Sequence, residues 1–215
     1  MKENSHSVRQ LLEVGYIEAA SGLIRDGKLK NLELAGIDLS QRVLNQLRLR
    51  GANLQGACLS GADLTEANLR DSNLQHALLV QTVLVRADLR KAALQDANLV
   101  CADLRHADLR SADLSQSILR GADLRESTLH SATLHGTILS GADLRSANLG
   151  KTDLCGAILG TITASGSTTP GADLRGTNLH QARLKDTDLR GAKWDETTRW
   201  PTGFQPPGEE PPRQS

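Results

Sequence analysis

The chain has 215 residues, with 25 acidic and 25 basic side chains and a formal net charge of zero. A neutral chain lacks the strong field that a polyanion binder or a nucleic-acid mimic needs, so nucleic acid is not an expected partner. No stretch approaches 18 consecutive apolar residues, which excludes a helical membrane span. The polar start carries no signal-peptide segment, so we expect a cytoplasmic protein.

The first predicted element is a helical segment within residues 1–28. Ser7 and Gln10 have the spacing of a capping box, and apolar residues from Val8 to Ile24 roughly follow helical spacing. Gly15 is expected to divide the segment into two short helices, and Gly27 to end it.

From Leu29 to Leu159 every fifth residue is leucine, which gives 27 consecutive leucines at one period. The residue two positions before each leucine is small throughout 52–157, and the residue between them is most often Asp or Asn. On a helix this period would carry the leucines around every face, and on a strand it would alternate them between two faces. A single interior therefore requires the chain to bend once per repeat. The small residue and the leucine then point inward, and the Asp or Asn points outward and can bond to the turn backbone.

A small residue, Asp or Asn, leucine and two variable positions form the consensus of the pentapeptide-repeat family, which this chain resembles over residues 29–194. The resemblance implies an all-β solenoid, a right-handed quadrilateral parallel β-helix with four pentapeptides in each coil. The ending from Trp194 to Phe204 resembles that of many cyanobacterial members. Residues 1–28 then become a short N-terminal helical cap, since a solenoid end otherwise exposes core and unpaired backbone.

Two segments depart from the repeat. Residues 161–170 are either a loop, as their Gly, Ser, Thr and Pro suggest, or two degenerate repeats, since the phase is kept across them. A loop would move every later residue half a coil around the solenoid. Residues 195–215 form a C-terminal tail, which we expect to be largely disordered after residue 204. Trp194 is expected to close the last coil.

Residues in equivalent positions of successive coils should stack in columns. Leucines predicted to form the core are Leu54, Leu64, Leu74, Leu89, Leu104, Leu124 and Leu144. One outward column is apolar where the consensus has Asp or Asn, and it forms a candidate protein-contact strip of Leu78, Val80, Val100, Ile118, Ile138 and Ile158. Exposed apolar area of this kind often marks a protein contact. The alternative interpretation is structural, because β-branched residues stack well on a ladder.

Charged columns accompany the strip. Arginine columns begin at Arg50 and at Arg105, and aspartates on the same faces can pair with them. Some members of the resembled family mimic DNA and bind gyrase through strongly negative surfaces. Residues 29–193 instead hold 19 basic and 17 acidic side chains, so gyrase binding is kept only as the alternative function.

No sequence feature predicts catalysis, a cofactor or a metal site. The histidines lack ligand spacing, and neither a nucleophile elbow nor a glycine-rich phosphate loop is present. Cys58, Cys101 and Cys155 are expected to be ordinary exposed thiols. The sequence therefore predicts a non-enzymatic scaffold with an unknown protein partner, or a homodimer through the strip or an end coil.

Overall fold

The computed structural model describes residues 2–15, 19–20 and 32–207. The first element is helix α1, Lys2–Glu13, which ends before Gly15, whose φ of 88° lies in the left-handed region. The helix begins before Ser7, so the predicted capping box does not mark its start. The second predicted helix falls mostly on residues outside the described ones. No helix in the described part of the chain has both the length and the apolar character needed to cross a membrane.

From Glu33 onward the backbone forms a ladder of single-residue parallel bridges between successive coils, such as the bridge of Asp38 with Cys58. One bridge occurs in every pentapeptide, so each coil contains four pentapeptides and has four faces. The bridged residue occupies the outward slot, between an inward small residue and an inward leucine. Eight bridged residues lie on each face: Glu33 to Arg183 on face 1, Asp38 to Asp188 on face 2, Val43 to Lys193 on face 3 and Arg48 to Arg199 on face 4.

Each corner between two faces is a tight turn. At a typical corner the N–H of Ala107 donates to the carbonyl of Leu104 (3.0 Å), and His106 between them has a φ of 59°. A positive φ at the third residue alone is the pattern of a type II turn. The turns leave only one bridged residue per face, so the coils contain isolated bridges where the family resemblance implies short strands.

The interior is a continuous shaft of leucines with small residues between them. The seven predicted core leucines have no exposed surface, and the inward Ala, Ser and Thr side chains of residues 52–157 are also buried. Buried threonine hydroxyls bond to leucine carbonyls of the neighbouring coil, as Thr82 Oγ1 does to Leu59 (2.7 Å) and Thr137 Oγ1 does to Leu114 (2.8 Å). Buried serine hydroxyls bond to the leucine three residues earlier, as Ser72 Oγ does to Leu69 (2.6 Å). These bonds satisfy the polar groups that burial would otherwise leave unpaired.

Residues 161–170 leave the coil as a β-hairpin. Strand β1, Ile162–Ala164, pairs in antiparallel register with β2, Ser167–Thr169. The inter-coil ladder omits these ten residues, because Asp143 bridges to Asp173 and not to a residue of β1. At the base of the hairpin, the N–H of Ala172 donates to the carbonyl of Leu159 (2.7 Å). This bond corresponds to the one between leucine and the next small residue that closes each regular corner. The six bridged residues after the hairpin, from Asp173 to Arg199, are therefore shifted by half a coil relative to a count without a loop.

The C-terminal end changes register by one residue. Asn178 bridges to Arg199, which lies one position beyond the residue that the regular ladder would pair with it. Trp194 is half-buried, and its ring meets Trp200 edge to face at 5.9 Å, while Trp200 stacks on Phe204 at 5.3 Å. These three aromatic rings pack against the leucine shaft. The expected disorder after residue 204 concerns mainly residues 208–215, which lie outside the described residues.

At the other end, α1 contacts the first coil. Val8 and Leu12 are fully buried within the same apolar cluster as the leucine shaft. Arg9 Nη1 donates to the carbonyl of Ala35 (2.9 Å), and Arg42 Nη2 donates to the carbonyl of Glu13 (3.2 Å) at the end of the helix. A cation suits this position, because the last carbonyls of a helix are unpaired and carry partial negative charge.

Candidate protein-interaction surface

Face 2 carries apolar side chains in the outward slot. Bridges join Leu78 to Asn98, Asn98 to Ile118, and then Ile118, Ile138 and Ile158 in successive coils. Val80 and Val100 lie beside this column, in the turns that lead from face 2 to face 3. We call this set the apolar strip: Leu78, Val80, Val100, Ile118, Ile138 and Ile158.

The apolar strip is accessible along its length. Leu78 is 46% exposed, and the other five residues are half-buried. Asn98 interrupts the column, while Cys58 precedes it and Asp188 follows it. The structure thus brings the six predicted residues together on one face and its adjoining corner, with one polar position among them.

The backbone beneath the strip has no free hydrogen-bonding groups at its central residues. The N–H of Ile118 donates to Ala97 (2.9 Å), and its carbonyl accepts from Leu99 (2.7 Å). Ile138 is bonded in the same way to Ser117 and to Leu119 (3.0 and 2.8 Å). At Ile118 and Ile138 a partner consequently meets side chains and no free backbone group.

Isoleucine and leucine in the outward slot remove a bond that Asp and Asn make there. The side chain of Asp63 accepts from the N–H of Thr65 (2.9 Å), and that of Asn148 accepts from Gly150 (3.0 Å). Such an intramolecular bond contributes about 0.5–1.5 kcal/mol. An aliphatic side chain in the same slot has no acceptor, so the strip gives up this local stabilisation of the turn.

Face 3 carries a ladder of carboxylates and guanidinium groups. Asp103, Asp123, Asp143 and Asp173 are each followed two residues later by an arginine that binds both carboxylate oxygens, with Nη2–Oδ2 distances of 2.6 Å. Each arginine except the last also approaches the aspartate of the next coil, as Arg125 Nε does Asp143 (3.5 Å). The ladder alternates in sign, so stacked like charges are separated by opposite ones.

The pairing stabilises the charged form of the carboxylates. The Arg105 guanidinium hydrogen-bonded to Asp103 holds the pKa of that carboxyl below its usual value, in spite of partial burial. Arg90 on face 4 lowers the pKa of Asp88, and Arg190 on face 2 lowers that of Asp188, for the same reason. These groups form neutral pairs, so neither a free anionic surface nor a free cationic surface results from them.

The arginine column at the corner between faces 4 and 1 is paired as well. Arg90 binds Asp88 (2.6 Å), and Arg110 binds Asp108 (2.6 Å). Arg50 and Arg70 share Asp71, at 3.1 and 3.5 Å. The Asp-Leu-Arg sequence, visible in the chain, accounts for the pairs of Arg90 and Arg110, while Arg50 and Arg70 depend on an aspartate at the corner.

One expectation about the cysteines is wrong. Cys155 is buried, whereas Cys101 is exposed and Cys58 is half-buried. A hydrogen bond to the Asp153 carboxylate raises the pKa of the Cys155 thiol, with a further contribution from burial. A raised pKa makes a thiol a weaker nucleophile at neutral pH. In the part of the chain that the structure describes, no group of His, Cys, Asp and Glu side chains could hold a metal ion.

In the repeat pattern Arg42 is an exception, since it stands two positions before Leu44, where later coils have a small inward residue. The structure shows Arg42 exposed and bonded to the end of α1. The sequence contained a signal for this contact. An arginine at an inward position of the first coil cannot stay unpaired in the leucine shaft, so its side chain must bond to a group outside it.

Comparison with known proteins finds one family. The family described as pentapeptide repeats matches in eight copies, over residues 33–71, 67–105, 87–125, 102–141, 122–160 and 163–193. A comparison with curated proteins gives no match.

Several solved structures are similar to the chain. HetL, a pentapeptide repeat protein involved in heterocyst differentiation regulation from the cyanobacterium Nostoc sp. strain PCC 7120, is 35% identical, with 77% of this chain and 86% of HetL covered and a TM-score of 0.34. A trypsin-treated form of QnrB1, a plasmid-mediated fluoroquinolone resistance protein, is 20% identical, with 78% of this chain and 91% of QnrB1 covered and a TM-score of 0.46. A pentapeptide repeat protein from the thylakoid lumen of Arabidopsis thaliana is 21% identical, with 64% and 83% covered and a TM-score of 0.28.

Proposed function

Because the chain belongs to the pentapeptide-repeat family, we propose that it is a non-enzymatic, right-handed solenoid that binds another protein through the apolar strip on face 2. The observation that carries this proposal is the exchange of Asp or Asn for Leu or Ile in four outward slots of one face. Each exchange gives up a local hydrogen bond and leaves apolar surface accessible to water.

Apolar surface that is held rigidly is well suited to binding. Transfer from water contributes about 25 cal/mol for each Å² of apolar area that a partner covers. The leucine shaft and the inter-coil ladder fix the strip residues in place, so binding does not have to order the surface first. The Asp–Arg ladder on the adjacent face 3 is made of neutral ion pairs, so it repels neither an acidic nor a basic partner.

We also propose that α1 is the N-terminal cap of the solenoid. Val8 and Leu12 cover the apolar end of the first coil, and the bonds from Arg9 and Arg42 hold the helix in place. The aromatic cluster of Trp194, Trp200 and Phe204 has the corresponding place at the other end. Because both ends of the solenoid are covered, a partner would bind to one of its four faces.

A capture experiment from a lysate of the source organism tests the proposal. The immobilised chain should retain a specific protein, and the double variant Ile118→Glu with Ile138→Glu should lose it, because two carboxylates would be placed against the partner's apolar surface. Val43→Glu is the matched control, since Val43 is 63% exposed and lies on face 3. Circular dichroism and thermal unfolding must show that both variants remain folded.

Unchanged capture by the folded double variant would refute binding through the strip. The isoleucines would then serve only to stabilise the ladder by stacking. In that case the double variant should lower the melting temperature while leaving the retained proteins the same.

A further inference from the structure

We propose that the partner element which occupies the apolar strip is an amphipathic α-helix of about three turns, aligned with the axis of the solenoid. This inference rests on the proposed function and names the kind of segment that the strip accepts. It follows from the size of the strip, from the bonded backbone of its central residues and from an arginine beside it, Arg120, that is unpaired among the described residues.

The size of the strip does not suit a broad protein face or a second copy. Four coil steps separate Leu78 from Ile158, and at the spacing of paired strands this is about 19 Å. A face of three extended residues is about 10 Å wide, so the strip covers about 200 Å². A stable interface buries about 800 Å² on each partner. The strip is instead the size of one side of a helix, which is about 10 Å wide and about 1.5 Å long for each residue.

The backbone under the strip excludes an extended peptide. A bound strand gains affinity by hydrogen bonding to an open sheet edge. Here the N–H and carbonyl groups of Ile118 and Ile138 are already bonded to the neighbouring coils. An extended peptide would therefore lay unpaired backbone groups on an apolar surface, which is costly. A helix bonds its own backbone internally and presents only side chains.

The spacing of the strip residues agrees with this choice. Successive coils are about 4.8 Å apart, and successive helical turns are about 5.4 Å apart. Apolar residues at positions i, i+4, i+7 and i+11 of a helix span about 16 Å, so they stay in contact from Leu78 to Ile158. Residues on one side of an extended chain are about 6.7 Å apart, and they lose register with the coils after two steps.

Arg120 indicates the polar side of the helix. It follows Leu119 in the turn beside Ile118, and it is exposed. Its side chain makes no hydrogen bond or ion pair with any other residue that the structure describes, unlike the arginines of the face 3 ladder. An acidic residue on the helix flank next to the central apolar residue would pair with it, which fixes the rotation of the helix on the strip.

Defined peptide libraries test the inference with the full chain as the target. One library has apolar residues at helical spacing, a second has alternating apolar residues, and a third is proline-rich, each about 14 residues long with neutralised ends. We expect binders from the helical library that gain helical circular dichroism when bound. Their affinity should fall about tenfold or more for Ile118→Glu and for Ile138→Glu, and should be unchanged for Val43→Glu.

A charge reversal provides a second variant that leaves the apolar residues intact. Arg120→Glu should weaken binders that have an acidic flank by about fivefold at low salt, and peptides with lysine at that flank should recover the loss. This arm keeps the test valid if a glutamate within the strip disturbs the fold.

Three results would overturn the inference. They are binders drawn only from the alternating or proline-rich library, helical binders indifferent to Ile118→Glu and Ile138→Glu, and a dimer of the free chain that dissociates in the Ile118→Glu variant. If any of these results occurs while lysate capture still depends on the strip, the proposed function stands and the inference of a helical partner element is wrong. If lysate capture does not depend on the strip, the proposed function itself fails.

Discussion

At the scale of single residues, the corners of the coils hold one residue each in the left-handed backbone region. The glycines at corners, such as Gly51 and Gly141, have the positive φ that their place in the repeat predicts. Many corners, however, hold a residue with a side chain in the same conformation, including Lys91 (57°) and Glu126 (59°). A left-handed conformation costs such a residue about 1–2 kcal/mol. The bonds between coils evidently outweigh this cost at every such corner.

Replacing a corner glycine should therefore weaken the fold by a modest amount. Gly56 has a φ of 65°, and a Cβ added there would meet no atom within 4 Å. Gly56→Ala should lower the free energy of unfolding by about 1 kcal/mol through backbone conformation alone, measured by urea denaturation. Gly56→Asn is the matched variant and should cost less, because Asn tolerates the left-handed region. A Gly56→Ala variant as stable as the parent would contradict this account of the turns.

The paired aspartates predict how stability depends on pH. The pKa values of Asp88, Asp103 and Asp188 lie below their ordinary values in the folded chain, chiefly because of hydrogen bonds from the arginines two residues later. A lowered folded pKa contributes stability above the unfolded value, and this contribution is lost as the pH falls through the folded value. The urea midpoint should thus be constant above about pH 5 and decline below about pH 4.

The Arg105→Gln variant gives the control for this pH dependence. It removes the charged partner of Asp103 and keeps a side chain that can donate a hydrogen bond. Its urea midpoint should decline less steeply in acid than that of the parent, because the Asp103 pKa should return toward its ordinary value. Identical acid profiles would show that the pairs contribute nothing measurable.

At the scale of the coil, the leucine period predicts the interior almost completely. Throughout residues 52–159 the leucine and the small residue of each repeat are both buried, as a chain that bends once in every pentapeptide requires, while Leu184 near the C-terminal end is half-buried. The leucine period could not decide whether residues 161–170 form a loop or two degenerate repeats. The segment has the length of two full repeats, so a loop and two degenerate repeats leave the same phase in the sequence. The pairing of β1 with β2 and the bridges across 30 residues, beginning with Asp143 to Asp173, distinguish them, and these bridges are contacts between distant residues.

Removal of the hairpin should restore a regular corner. Deletion of residues 161–170 joins Gly160 to Gly171 and leaves the Leu159-Gly-Gly-Ala172 turn, whose closing bond is already present at 2.7 Å. The deletion variant should fold with a melting temperature within a few degrees of the parent, because the closure of a shorter loop costs less entropy. Differential scanning calorimetry would measure it.

The control for this experiment is a deletion of half the segment, 161–165. It leaves a bulge that cannot close as either a hairpin or a regular corner, so it should be less stable than the full deletion. A full deletion that fails to fold would mean that the hairpin supports the coils that follow it.

At the scale of the whole molecule, charge pairing determines which macromolecules the faces can attract. The zero net charge and the two-residue spacing of Asp and Arg could be read from the sequence, but the distances between each arginine and the aspartate of the next coil could not. The structure divides it into neutral Asp–Arg pairs on face 3 and on the corner between faces 4 and 1. A DNA mimic needs uncompensated negative charge along its length.

The purified chain should accordingly leave DNA supercoiling by gyrase unchanged. The measurement is a supercoiling assay at low salt, where any electrostatic attraction is strongest. A variant with Arg105, Arg125 and Arg145 all changed to Gln is the informative control, because it frees three carboxylates on face 3. Inhibition by the parent chain would refute the scaffold hypothesis in favour of the gyrase alternative.

The one-residue shift between Asn178 and Arg199 has a consequence for the length of the molecule. A ladder of identical coils has no feature that ends it. A last coil in the regular register would expose backbone groups that could pair with another chain. The shifted bridge and the three aromatic rings break that periodicity at one terminus. A solenoid with one coil more or fewer in its regular part would therefore keep the same C-terminal closure.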